Sequence, residues 1–243
     1  MKNGIYSAAA GMLTAVERLN VISNNLANIN TAGFKSDIPF EKVIRFLSEE
    51  PFPGKDQPIL AGTSLNDRNG NIKMTKRKLD LAFEGNGFFV VKMPNGAEYY
   101  TRNGAFNLNS KRELVTSEGY PILDKFNKTI RMYGKEFYFT PQGDLFIDGN
   151  YYTTLKVVDI PDRDQIEKVG NHFFRLKDST FKPKQIKDPN IIVGALEQSN
   201  VELMQEMTSL IITQRSFEFQ QRALDTILTQ IIRRTITDLP KPI

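Results

Sequence analysis

IYSAAAGMLTAVERLNVISNNLANI, residues Ile5–Ile29, is the stretch on which the reading of this chain turns. Its apolar residues fall at Ile5, Ala8, Met12, Ala15, Leu19, Ile22, Leu26 and Ile29, an unbroken alternation of steps of three and four. That is the spacing of a helix that lays one seam against a partner, as in a coiled coil. Glu17 and Arg18 are the only charges between Gly4 and Asn28. A lone surface helix carries a charged outer face. This one has Asn, Ser, Ala and Thr there, so the spacing predicts a helix covered on more than one side.

The other end repeats the pattern. Leu203, Met207, Leu210, Gln214, Phe217, Gln221, Leu224, Leu228 and Ile231 form a second series of the same spacing. Ser199 and Glu202 have the S-x-x-E spacing of a capping box, with Asn200 between them. The helix is expected to run to about Thr235, on the order of 50 Å at the usual rise. Gln214 and Gln221 fall in the seam, where polar residues fix register. Met204, Ile211, Ile212, Ile227 and Ile232 lie off it, and pairing with one helix cannot bury both sets. The termini are therefore expected to pair with each other and keep apolar surface for neighbours. The alternative is two ordinary amphipathic helices packed on the chain's own sheet.

Working inward, the chain changes character after Gly33. Phe40, Val43, Ile44 and Leu47 suggest one short amphipathic helix, followed by a loop over Pro51–Pro58. FFVVKM (Phe88–Met93), a Pro94-Asn95-Gly96 turn and AEYYTR (Ala97–Arg102) read as a hairpin. LFI, a turn at Asp148-Gly149-Asn150 and YYTTLKVVDI (Tyr151–Ile160) read as another. Short strands so closely spaced predict an all-β sandwich or barrel-like domain inserted between the helical ends. The fold class is mainly β with paired α-helical termini. Residues 1–35 with 196–243 form a discontinuous helical domain, 36–78 a connecting segment, and 79–195 the β-rich domain.

Composition narrows the chemistry. Cysteine and Trp are absent and His172 is the sole histidine, which removes disulfides, thiolate sites and His-ligated zinc. A net charge of +4, spread along the chain, is too weak to argue for nucleic acid. No run reaches the roughly 18 apolar residues of a membrane span. The N-terminus resembles a secretion signal only superficially, because Glu17 and Arg18 stand where cleavage would occur, and it reads as a retained helix. Gly85-Asn86-Gly87 lacks the third glycine, Lys and following helix of a phosphate loop and reads as a turn. Lys76-Arg77-Lys78 reads as a solvated edge strand. No spacing points to a catalytic carboxylate pair, so neither enzyme nor cofactor is expected.

Four blocks carry a family resemblance. GIYSAAAGML…NVISNNLANINTAGFK (Gly4–Lys35), LDLAFEGNGFFVV (Leu79–Val91), YTRNGAFNL…ELVTSEGYPIL (Tyr100–Leu123) and LEQSNVELMQEM…LIITQRSFE (Leu196–Glu218) resemble the signatures of flagellar basal-body rod and hook proteins. Lys78 stands where the family usually has a proline, and Arg112 replaces the turn glycine expected before the LVT strand. Both departures fall in β loops. Asn24, Asn25, Asn28 and Asn30 suit backbone capping where the first helix ends, and Gly33 a reversal. The length excludes a hook protein with its long insertions, and the opening block looks more like the proximal than the distal rod type.

The resemblance implies a structural subunit of the rod, the axial drive shaft needed for motility. It implies export as an unfolded chain by the flagellar type III apparatus without a cleaved signal, then self-assembly with other rod subunits. Ile5, Met12, Leu19, Ile22 and Leu26, with Leu203, Met207, Leu210, Phe217, Leu224, Leu228 and Ile231, are the expected contacts between subunits. The terminal helices are expected to line the inner wall, with the β domain outside. A different class of function, a secreted module binding cell-wall glycan through its β face, would need no such contacts.

Overall fold

The computed structural model describes residues 2–45, 56–170, 172–178 and 180–237. The protein is mostly β, with one helix at each end, α1 (Lys2–Ala27) and α2 (Leu203–Thr237), and a β domain between them. Its residues form two units. One, the helical unit, comprises Met1–Ala27, Asp37–Ser64 and Glu202–Ile243; the other, the β unit, comprises Asn28–Ser36 and Leu65–Val201.

In the β unit the run Phe88-Phe89-Val90-Val91 is buried throughout. Successive side chains of a strand point to opposite faces, so such a run needs a core on each side. Both exist. Phe89 and Val91 pack with Leu81, Phe106, Leu114, Ile122 and Leu155, while Phe88 and Val90 pack with Tyr100, Val158, Ile160 and Phe174. Each buried phenylalanine contributes roughly 2–3 kcal/mol. The strand Phe88–Lys92 pairs antiparallel with Glu98–Thr101 across the expected turn, where Gly96 N–H donates to the Met93 carbonyl. Among the described residues this hairpin lies in a six-stranded antiparallel sheet. The order is Ile166–Val169, Phe173–Leu176, Glu98–Thr101, Phe88–Lys92, Val157–Asp159 and Lys184–Gln185.

The second expected hairpin forms with one change. Asp144–Ile147 pairs with Asn150–Thr154 and, on its other side, with Phe137–Phe139. The run Tyr151–Ile160 is not one strand, however. It breaks at Leu155-Lys156, and Val157–Asp159 continues in the six-stranded sheet beside Phe88–Lys92. Leu155 is buried in one core and its N–H bonds to the Gly143 carbonyl, while Lys156 N–H bonds to the Leu123 carbonyl. Tertiary packing makes this corner without a glycine or proline.

In the helical unit α1 packs along α2. The short helix expected from Phe40 is instead a strand, Asp37–Arg45, paired with Asp56–Leu65. Ile38 and Phe40 are both exposed on one face, a period of two, and β-branched Val43 and Ile44 favour extended backbone. Leu47, and residues 51–55 of the expected loop, lie outside the described residues; Asp56–Pro58 open the second strand.

Candidate assembly surface

Small residues on α1 let α2 come close. A Cβ added at Gly11 would meet Gln220 Nε2 at 2.8 Å, and one at Gly4 would meet Ile227 Cδ1 at 3.2 Å. Ala15 and Ile22 are buried on this side, and Ile5, Met12, Leu19 and Leu26 are half-buried. A groove of about 570 Å³ runs between the helices, with Ser7, Ala8, Gly11 and Ala15 on one wall and Ser216 and Phe219 on the other.

Among the described side chains the covered positions of α2 are Glu206, Leu210, Thr213, Phe217, Gln220, Leu224, Ile227 and Ile231, with Ala223 beside them. This is the expected spacing with every second member shifted by one residue. Leu210, Phe217, Leu224 and Ile231 are half-buried, but Leu203, Met207 and Leu228 are exposed, as are Gln214 and Gln221. Gln214 and Gln221 are therefore not the polar members of the seam; Thr213 and Gln220 are. Close approach at Gly11 explains the choice, because it admits the slender Gln220 amide. Glu206 is drawn inward by Asn25, whose Nδ2 donates to Glu206 Oε1 at 2.9 Å. Burial pushes the Glu206 carboxyl up, and the Asn25 amide partly opposes the shift.

The shift brings Ile227, expected off the seam, to the covered side and turns Leu203, Met207 and Leu228 outward, while the other off-seam residues stay exposed. Met204 is 74% exposed, Ile212 62% and Phe219 73%, with Ile211 and Ile232 more than half exposed. On α1, Leu13 is 70% exposed. Scattered apolar residues on a surface are ordinary; on α2 they recur along one helix.

The asparagines work where the helices join their neighbouring segments. Asn25 Oδ1 accepts from Asp37 N–H at 2.9 Å while its Nδ2 donates to the Asp37 carbonyl at 3.0 Å. Asn24 Nδ2 donates to Asp37 Oδ2 at 3.2 Å. Asn28 accepts from Thr31 N–H and from the Thr31 hydroxyl. Gly33 has φ +67°, as the reversal requires. The Ser199–Glu202 capping box does not form. Ser199 Oγ accepts from Val201 N–H, and Glu206 N–H donates to the Glu202 carbonyl, so Glu202 holds the N-cap position. Asn200 instead ties backbone together, accepting from Ser36 N–H and donating to the Asn66 and Arg68 carbonyls.

Elsewhere the residues considered for chemistry have structural surroundings. Gly85-Asn86-Gly87 joins two strands, and the Gly85 carbonyl accepts from Arg102. His172 is buried against the Phe173 ring, with Glu118 Oε1 3.5 Å from Nε2. Burial lowers its pKa. Lys76-Arg77-Lys78 lies on a turn, not in an edge strand: Lys76 has φ +62° and Arg77 is held by Asp80 and the Asn107 side chain. Among the described residues no acidic or histidine cluster could hold a metal, and no helix is long and apolar enough to cross a membrane.

Three family models match separate parts of the chain. Residues 5–35 match the family model for flagella basal body rod protein, 82–163 that for the flagellar hook protein FlgE/F/G D1 domain, and 192–227 that for the flagellar basal body rod FlgEFG protein C-terminal region. The flagellar basal-body rod protein FlgF of Caulobacter vibrioides is 31% identical over 93% of both chains. FlgF of Rhizobium meliloti is 30% identical over 90% of both. FlgG of Borreliella burgdorferi is 27% identical over 93% of this chain and 95% of its own. Relatives of both types align over nine-tenths or more of the chain, so what they establish is the family and not the type: the chain belongs to the flagellar basal-body rod proteins.

Proposed function

We propose that this chain is a structural subunit of the bacterial flagellar basal-body rod that polymerises through α1 and α2. The observation that carries the reading is the apolar face left on α2 by Met204, Ile211, Ile212, Phe219 and Ile232. Burying what remains exposed on these five side chains is worth on the order of 6 kcal/mol. Association itself costs roughly 4–15 kcal/mol. One such contact is marginal, so the subunit stays dispersed until a growing tip offers several at once. Contacts of this kind are heterologous and need not close, which suits a helical polymer.

In this reading the seam positions of both helices join the pairing within a subunit, and the outward positions, including Leu203, Met207 and Leu228, meet other rod subunits. A coiled-coil geometry for the pairs, an axial place for the helical unit and an outer one for the β unit complete the picture. The family signature at the N-terminus fits delivery by the flagellar export apparatus with α1 retained. The opening block favours the proximal type. A stand-alone glycan-binding module gains no support, because the relatives that align over 90% and 93% of the chain are named basal-body rod proteins.

Ile211→Asp and Phe219→Asp test the assignment. Both residues are exposed, so unfolding should change by no more than about 0.5 kcal/mol, while rod assembly and motility are lost. Rods that still form with these variants would contradict the proposal; a sharp fall in melting temperature would show that the residues pack within their own chain.

A further inference from the structure

Three charged residues far apart in sequence meet inside the β unit. Lys35 and Arg102 are each 1% exposed and Glu197 2%. Lys35 Nζ donates to Glu197 Oε1 at 2.8 Å, the Arg68 carbonyl at 2.7 Å and Asn69 Oδ1 at 3.3 Å. Arg102 donates to the Gly85 carbonyl and to Asn69 Oδ1, both at 2.8 Å, and its guanidinium stands 3.7 Å from Glu197 Oε2. Two buried cations thus face one carboxylate. Desolvation lowers the pKa of both cations, and Glu197 opposes that shift in each. Without Glu197 both charges would be left in a dry interior, where an unpaired ion is strongly unfavourable.

Residues 28–36 have an unusual position in the chain. They belong to the β unit, yet the chain enters them from Ala27 and leaves into Asp37, both in the helical unit. Hence they are held in place by non-covalent contacts alone. Phe34 and Lys35 are inserted almost completely. Much of their hold comes from the other end of the chain. Gly33 N–H donates to the Glu197 carbonyl at 2.8 Å, Asn200 N–H to the Phe34 carbonyl at 3.3 Å, and Ser36 N–H to Asn200 Oδ1 at 2.8 Å. Lys168, Asn66 and the Arg102 backbone also lie against this segment. Glu197 is itself placed by strand pairing: Ala195–Glu197 with Ile72–Met74, next to Ile191–Val193 with Leu81–Phe83.

We propose that Glu197 and Asn200 form a completion latch. Residues 33–36 seat in the β unit only after 191–200 have paired with it, so the unit closes only when nearly the whole chain is present. A chain exported unfolded, as in the reading above, would then keep this unit open until residues 191–200 are also in place. The latch itself rests on the contacts within the β unit and not on that reading.

Amide hydrogen exchange on the isolated full-length protein tests it. Glu197→Gln removes the counter-charge, and Asn200→Ala removes bonds without leaving an unpaired ion, so the second variant carries the test if the first does not fold. In each, exchange at Gly33–Ser36 should speed up by about tenfold or more, while the hairpin Phe88–Lys92 and Glu98–Thr101 keeps its protection. Unchanged protection at Gly33–Ser36 overturns the proposal. So does an equal loss at the hairpin in Asn200→Ala, which would mean general destabilisation. Because exchange is read on the isolated chain, failure of the latch and failure of the rod assignment are distinguishable.

Discussion

Replacing Gly33 by alanine should destabilise the β unit by an amount that can be worked out from two separate causes. The first is conformational: Gly33 has φ +67°, where an L side chain costs about 1–2 kcal/mol. The second is steric. An added Cβ would stand 2.4 Å from the Arg102 carbonyl carbon and from Asn103 N, and 2.6 Å from the Arg102 oxygen. These are backbone atoms of a buried segment, so they cannot swing aside, and overpacking of this kind costs roughly 1–3 kcal/mol. Together the change is about 2–5 kcal/mol. For a unit of this size each kcal/mol moves the midpoint by about 2–4 °C, which gives a fall of roughly 4–20 °C. Circular dichroism is the suitable probe, since the chain has no Trp. Gly96→Ala serves as the control. Its φ is +83° but nothing lies within 4 Å of the added carbon, so only the conformational cost of about 1–2 kcal/mol should appear. A Gly33→Ala midpoint equal to that of Gly96→Ala would refute the close packing of the two backbones. One equal to the parent would refute the left-handed conformation as well.

Two further outcomes follow from local geometry. Arg112 adopts φ +58° in a turn closed by Asn109, so Arg112→Gly should raise the β-unit midpoint by about 2–4 °C, corresponding to ~1 kcal/mol of relieved strain less one exposed bond to the Gly134 carbonyl; a lower midpoint would show that this bond dominates. Burial depresses the His172 pKa in the folded state, so the unfolded chain binds more protons below about pH 6.5, and stability is lost as pH falls from there toward the folded value. His172→Gln should flatten this part of the pH profile, and an unaltered acid limb in thermal melts would assign the loss to carboxylates instead.

How far the fold could be read in advance depends on what the signal was. The hairpin from Phe88 was legible because its turn residues and its β-rich run agree, and Gly33 because asparagines and a glycine cluster at a helix end. The partner face of α2 was legible at Leu210, Phe217, Leu224 and Ile231 but misplaced in between. An apolar pattern selects Met207 over Glu206 and has no means of knowing that Asn25 binds the carboxylate, or that Gly11 opens room for Gln220. The same shift decides which residues face outward, so Ile211 and Phe219 are cleaner assembly probes than Leu210. The strand at Asp37–Arg45 was hidden because Phe40, Val43, Ile44 and Leu47 fall at the i, i+3, i+4, i+7 spacing of a helix, while only Ile38 and Phe40 show a period of two. The Lys35–Arg102–Glu197 cluster had no local signal at all: charged residues look solvent-exposed one at a time, and only the topology brings these three together.

The absence of cysteine allows the central claim to be tested with a single introduced thiol. In Ile211→Cys and, separately, Phe219→Cys, maleimide labelling would be compared between the monomeric protein and purified basal bodies. Buried faces in the assembled rod predict rapid labelling of the monomer and protection of about tenfold or more in the basal body. Equal labelling in both would contradict assembly through the outward face of α2.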